Sequence, residues 1–568
     1  MFLLCPFFYN ADTFLTGITS GFIGSVFLMS CMIILLLRND VLKFNRLDLI
    51  FILFILFYGF RVLLAHPVFN SNYLIHLLII ISAYLYFRNI RYGNIFFLIL
   101  YLAGLIQSVW YVLQILNLLP SYHYLFKGTG CFSNPSILAI YLVVALLSGI
   151  ASFQIKYKFL IKVLWRTGLI FLFGCIATIN SRASWIALLV GVGWIGWTEE
   201  SWNLKIHIRA LFKKHLYMKY LYFGLMTGVV LCGIYGIYLM RQDSVHGRFL
   251  IWKVVGSNLS ESLCFGQGAL QARYMPLQAQ WFMSSPDSIF NKFAGNSIYA
   301  FNEFLRIAFE TGIIGFLLFC SLIVTAVIYS FRGNRISHYS GAILISMICF
   351  GLFSYPFSID IIVVIAVITL GVIAGNFSDC FSVRLQGIFC KYLMGSMFLV
   401  LGIFTSREYI LEKKADFLLS RVQQDFLVSD RAEAATFYEY LRGNPDFVLC
   451  YGKTLFNHKL YAESLPVLEQ AFCLKPSSEL MCDLGICYQY TKNYEKAEEA
   501  YLLASYMTPV FIIPQYRLFN LYLECKNVEK ATEKAEYLLS MPVKVVNTSV
   551  LRIRNQARIF LENAQTTE

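Results

Sequence analysis

Up to about residue 406 the chain repeats one pattern, an apolar run of roughly 18–25 residues followed by a polar connection, and each run is long enough to cross a bilayer as a helix. The pattern predicts about twelve crossings, at 13–37, 47–65, 71–87, 94–119, 135–153, 159–179, 184–198, 220–240, 302–331, 338–355, 358–376 and 388–406. Beyond them the chain reads as a soluble region. The expected fold is all-α: a polytopic membrane helix bundle over 1–406, with a long outer loop at 241–300, and an α-helical repeat solenoid over 407–568. Residues 13–37 are too long and too apolar for a cleavable signal peptide, so the first run reads as a crossing.

The connections sort by charge. The odd ones are basic: Lys43 and Arg46 lie in the first, Arg88 and Arg91 in the third, Arg332 and Arg335 in the ninth, Arg384 and Lys391 in the eleventh. By the positive-inside rule they face the cytoplasm. The even connections, His66–Asn70, Pro120–Pro135, Asn180–Arg182, Asp243–Ala300 and Tyr355–Asp360, are poorer in charge and are expected on the other side, together with everything after residue 406.

Composition agrees. Hydrophobic residues make up 58% of the 568, and mean hydropathy is +0.64. The formal charge of +13 resides in the membrane half, which carries 27 basic and 12 acidic residues, whereas the tail from Arg407 holds 19 and 21. The excess thus fixes topology and is a poor sign of nucleic-acid binding. The 15 cysteines are scattered, with no CxxC pair and no cluster at metal-ligand spacing, so no cofactor or metal is expected.

The tail contains a repeat. Pro476, Pro509 and Pro542 are spaced by 33 and 33, and Pro445 lies 31 before Pro476. Between them Leu484, Gly485, Tyr488, Ala497, Tyr501 and Ala504 occupy the small and aromatic positions at which paired helices of a tetratricopeptide repeat interlock, and Leu518, Tyr522 and Ala531 follow nearly the same frame. Such a region offers a concave face to an acceptor protein or an assembly partner.

Candidate chemistry falls on the even side. Arg182, in Ser181-Arg182-Ala183, stands at a helix mouth, and Arg248 lies in Gly247-Arg248 within the long loop. A guanidinium stays protonated and its planar fork matches phosphate oxygens, so two on one face point to a phosphate- or pyrophosphate-bearing lipid. Arg182 also reads as an interfacial anchor beside Trp185. Arg248 also reads as part of an amphipathic segment with Phe249 and Trp252 dipping into the leaflet. Gly266-Gln267-Gly268 reads as a hinge in the loop and not as a phosphate cradle. At the loop's exit, Asn302, Glu303, Arg306 and Glu310 share roughly one helical face, charged although the helix runs into the membrane.

Taken together, the SRA motif, the GRxxxW segment, the GxG turn and NExLxxxxExGxxG, in this order over roughly 170–375, resemble the O-antigen ligase and polymerase family of bacterial envelope enzymes. The resemblance implies a metal-independent, inverting glycosyltransferase of the inner membrane. It would move a glycan from a polyprenyl-pyrophosphate carrier to a lipid, glycan or protein hydroxyl on the periplasmic side. Arg182 and Arg248 would hold the pyrophosphate, while Asn302, Glu310, Gly312 and Gly315 belong to the motif's frame. Members commonly carry a histidine immediately before Asn302; this chain has Phe301, which cannot take a proton. Glu303 and His246 are the candidate bases, with His123 a weaker one. Ligase, polymerase and protein O-glycan ligase share this donor chemistry. A flippase of lipid-linked glycan and a non-catalytic repeat-bearing membrane scaffold are the rivals of another class, and the absence of a clear internal duplication counts against the flippase.

Overall fold

The computed structural model describes residues 41–65, 71–89, 93–121, 126–153, 158–179, 181–199, 242–286, 288–377, 380–384, 388–422 and 428–565. These are almost entirely helical, with 20 helices and one two-stranded ribbon. The expected crossings at 13–37 and 220–240, and His123, lie outside the described residues.

Ten helices occupy the other ten expected positions: α1 (Arg46–Ala65), α2 (Ser71–Asn89), α3 (Gly93–Ile115), α4 (Pro135–Ser152), α5 (Phe159–Thr178), α6 (Arg182–Thr198), then α9 (Glu303–Arg332), α10 (Arg335–Gly351), α11 (Asp360–Gly375) and α12 (Ile388–Arg421). Four candidate spans among the described residues, in α3, α4, α5 and α9, are both long and apolar enough to cross a membrane. The uniform series of crossings expected from the apolar runs is corrected to this extent. Helices α6, α10 and α11 have 17, 17 and 16 residues. At about 1.5 Å per residue they fall short of a ~30 Å core. Helix α12 runs uninterrupted through residue 406, so the boundary expected there falls within one helix.

Caps set the starts that matter. Asn134 accepts the Ser136 N–H ahead of Pro135 and opens α4, which is buried along nearly its whole length at the bundle centre. Asn302 accepts the Leu305 N–H at 3.0 Å and opens α9. Each cap satisfies a backbone donor that the first helical turn cannot.

The odd connections meet at one end of the bundle. Strand β1 (Val41–Phe44) pairs antiparallel with β2 (Phe381–Arg384), joining the first connection to the eleventh. Asp48 accepts from Tyr84 Oη at 2.7 Å and from Arg88 Nε at 3.1 Å, and Arg335 Nε reaches Glu199 at 2.8 Å. Among the described residues these contacts join the first connection to the eleventh and the seventh to the ninth.

Two helices of the outer loop, α7 (Gln242–Ser257) and α8 (Leu270–Ser284), form a small core of their own around Leu250, Val254, Tyr274 and Phe282. The C-terminal region is α13 (Val428–Leu441), then the successive pairs α14 (Pro445–Asn457) with α15 (Tyr461–Leu474), α16 (Ser478–Tyr490) with α17 (Tyr494–Met507) and α18 (Ile512–Glu524) with α19 (Val528–Ser540), closed by α20 (Thr548–Gln565). A Cβ on Gly485 would lie 2.4 Å from the Tyr501 ring, and Ala497, Tyr501 and Ala504 are fully buried. Pro476 and Pro509 fall between one pair and the next, and Pro542 between the last pair and α20. This region seats on the outer loop. Met507 enters the loop's core, Gln278 donates to the Met507 carbonyl, the Ser478 N–H meets Asn296 Oδ1 at 3.3 Å, and Lys544 Nζ meets the Ala294 carbonyl at 3.3 Å. Loop and helical pairs therefore occupy the same side.

Candidate functional site

At the other end of the bundle the even connections converge. Arg182 is the first residue of α6 and Arg248 lies on α7; both are half-buried. The Arg248 guanidinium carbon sits 5.4 Å from the centre of the Phe301 ring, a cation–π contact. Burial holds the Arg248 pKa below the usual guanidinium value, and the positive charge of Arg182 holds it down further. The two arginines, 66 positions apart in sequence, are therefore near enough to act on each other's charge.

Aromatic rings gather beside Arg248. Tyr355 meets Phe301 edge-on at 5.3 Å and stacks on Tyr299 at 3.8 Å with the planes 3° apart. Asn134 Nδ2 donates to Tyr355 Oη at 2.9 Å. Burial, then the Tyr299 hydroxyl, push the Tyr355 phenol up to about 12, so it keeps its proton at neutral pH and remains a donor. Phe301 has φ of 52°, the left-handed region that β-carbon residues seldom occupy. The turn aims its ring at Arg248 just before Asn302 opens α9. Tyr299, Tyr355 and Asn134 escaped the sequence reading. The available signal was position: each lies in, or at the edge of, an even connection.

The motif at the loop's exit builds a brace. Glu303 is 1% exposed; one oxygen accepts the Phe357 N–H at 2.8 Å and the other Arg306 Nε at 2.6 Å. Arg306 Nη1 reaches Glu310 at 3.0 Å, Glu310 also takes the Tyr58 hydroxyl at 3.2 Å, and its other oxygen takes the Leu270 N–H at 3.2 Å. This network ties α1, α9, the start of α8 and the α10–α11 connection together. Both carboxylate oxygens of Glu303 are thus engaged.

Gly312 breaks α9 with φ of 66° and ψ of −166°. Into the break docks the segment 263–268: Ile313 N–H donates to Leu263 O at 2.8 Å, Gln267 N–H to Phe309 O at 2.8 Å, and Gly268 N–H to Glu310 O at 3.3 Å. A Cβ on Gly312 would lie 2.4 Å from the Cys264 carbonyl, and one on Gly266 2.5 Å from the Gly312 nitrogen. Arg61 Nη2 caps the segment through Gly266 O at 2.8 Å. Gly266-Gln267-Gly268 is therefore a latch that repairs a broken helix, and the expected hinge is corrected. Gly315 lets Thr311 and the Phe57 ring pack close.

His246 lies flat against Phe293, ring centres 4.9 Å apart. Two residues along a helix turn the side chain through about 200°, so His246 and Arg248 look in different directions. Trp252 Nε1 donates to the Ala300 carbonyl at 2.9 Å, which ties α7 to the loop's exit. Beside Tyr299 opens a cavity of about 550 Å³ between α1, α2, α9 and α11, walled by apolar side chains such as Phe54, Ile79 and Leu322 and rimmed by polar ones.

Fold and site together define an all-α, multi-pass membrane-type protein with two half-buried arginines and a cluster of aromatic rings beside a structured outer loop. Residues 167–320, which include both arginines and Glu303, Arg306 and Glu310 of the brace, match the family model described as O-Antigen ligase. That match supports the O-antigen ligase family and a membrane glycan ligase- or polymerase-type enzyme acting on a lipid-linked glycan. No curated protein matches the chain.

Proposed function

We propose that this protein transfers a glycan from a polyprenyl-pyrophosphate carrier to an acceptor hydroxyl, at the non-cytoplasmic face of a bacterial inner membrane. What supports the reading is that Arg182 and Arg248, half-buried and carried by separate even connections, are near enough for the charge of one to act on the other. Like charges at such a distance repel, and a diphosphate between them turns the repulsion into binding.

In the reaction the acceptor oxygen attacks the anomeric carbon while the bond to the pyrophosphate oxygen breaks. Negative charge gathers on the departing diphosphate, and fixed guanidiniums in a low-dielectric site stabilise it as it develops. A single direct displacement inverts the anomeric centre and requires no metal. The Tyr355 phenol, held by Asn134, supplies a further donor toward the same anion. Phe301 and the Tyr299–Tyr355 stack keep water from the pair.

The C-terminal helix pairs are read as tetratricopeptide repeats, placed on the periplasmic side to receive an acceptor or an assembly partner. Polymerase, lipid ligase and protein O-glycan ligase share the donor half of this mechanism. Product analysis in a strain lacking the gene separates them: carrier-bound polymer accumulates for a ligase, single carrier-bound repeats for a polymerase, and unmodified proteins for a protein ligase. The proposal itself is tested by Arg182→Ala and Arg248→Ala in that strain. Glycan transfer should vanish while membrane insertion persists; transfer at the parental level would refute it.

A further inference from the structure

One proton is unaccounted for. The acceptor hydroxyl must lose it, Phe301 cannot take it, both oxygens of Glu303 are bonded, and His246 lies against Phe293. The cavity beside Tyr299 holds another pair on its rim. His76, near the start of α2, places Nδ1 3.6 Å from an Asp360 carboxylate oxygen at the first residue of α11, with the two side chains 44% and 76% exposed. Both helices begin just after even connections, so the pair lies on the same face as Arg182 and Arg248. Tyr299 lines the same cavity and leads by ring contacts through Tyr355 and Phe301 to Arg248.

The geometry points to His76, oriented by Asp360, as the general base that takes the proton of the acceptor hydroxyl. This rests on the pyrophosphate reading above. A carboxylate facing Nδ1 favours the tautomer with its proton on that nitrogen, leaving the Nε2 lone pair available. At 3.6 Å the carboxylate acts through charge, and such contacts shorten when substrate closes the site. The other charged or ionisable groups lining the cavity are Arg306 and Glu310 from α9, Arg61 and Tyr58 from α1, and Tyr299, whose phenol burial holds in the protonated form. Arg306 and Glu310 are bonded to one another, Tyr58 to Glu310 and Arg61 to Gly266, which leaves the His76–Asp360 pair as the cavity's proton-accepting group. In the step, the acceptor O–H bond breaks and its proton passes to Nε2. The oxygen forms the new bond to the anomeric carbon, and the electron pair of the broken glycosyl bond leaves on the pyrophosphate. The imidazolium then loses its proton to solvent.

The test uses the full chain. His76→Ala, His76→Gln and Asp360→Asn are returned to the deletion strain, and transfer is measured in its membranes with the strain's own accumulated carrier-linked glycan. Affinity for undecaprenyl pyrophosphate is measured in parallel on the purified protein. Either His76 change should lower turnover about 100-fold or more, as expected for loss of a general base, with carrier affinity held within about twofold. Added imidazole should restore part of the His76→Ala loss, and Asp360→Asn should lower turnover about tenfold with the same split. Turnover of His76→Ala within about twofold of the parent, or a fall in carrier affinity that matches the fall in turnover, overturns the assignment. The pyrophosphate reading is judged separately, by whether Arg182→Ala and Arg248→Ala lose carrier affinity while His76 is intact.

Discussion

The two ends of the bundle use arginine in opposite ways. At the odd end, Arg88 is buried against Asp48, which also takes the Tyr84 hydroxyl, and Arg335 is matched by Glu199. These charges are neutralised by the fold itself. At the even end, Arg248 lies over the Phe301 ring with Arg182 as its electrostatic neighbour. A cation satisfied by a carboxylate of its own chain is scaffolding. Arg182 and Arg248 come from separate connections and, on the function proposed above, serve an anion that comes from outside.

The sharpest way to break this contrast is at the even end. Arg182→Ala or Arg248→Ala should cost about 10²–10³-fold in transfer, the scale seen when one donor to a developing anion is removed. Thermal unfolding of the purified protein should hardly move. Arg248→Lys keeps the charge but loses the fork, and is expected to retain measurable transfer at lower carrier affinity. At the odd end the signature inverts. Asp48→Ala leaves Arg88 buried with its counter-charge removed, which costs about 3–5 kcal/mol. The yield of folded protein and its unfolding temperature should fall, while transfer per folded molecule stays near the parent.

Between these extremes lies the latch. Gly312→Ala must keep a φ of 66° and push its Cβ into the Cys264 carbonyl. A strain of about 1–3 kcal/mol is expected to release the 263–268 segment, seen as new protease cleavage there together with reduced transfer. The smallest effect belongs to Asn302→Ala, which removes the cap of α9 and should lower stability by about 1 kcal/mol with a modest shift in unfolding temperature. Loss of transfer as large as that of the arginine variants would place Asn302 in the chemistry instead.

Much of this plan could be read in the linear chain. Apolar runs located ten helices, because burial in a bilayer is decided by composition over a window of about twenty residues. Loop charge sorted the connections into two sets, and among the described residues contacts join the first to the eleventh and the fourth to the tenth. The recurrence of proline at 33 residues marked the helix pairs, because each pair repeats one local packing problem. Arginines at the mouths of helices drew notice because a permanent charge near hydrocarbon is costly.

What the chain could not reveal depends on distant partners. Asn134 and Tyr355 are 221 positions apart, and neither residue type signals a site until the two meet. Gly266-Gln267-Gly268 looks like any flexible turn; only the backbone break at Gly312, opposite it, makes it a latch. Nothing along the sequence shows that Arg306 and the Phe357 N–H occupy the two oxygens of Glu303. His76 and Asp360 became a pair only when α2 and α11 packed side by side. Periodicity and charge act locally and are written along the sequence, whereas the partner of a polar side chain is chosen by how the helices pack, and that choice is made only in three dimensions.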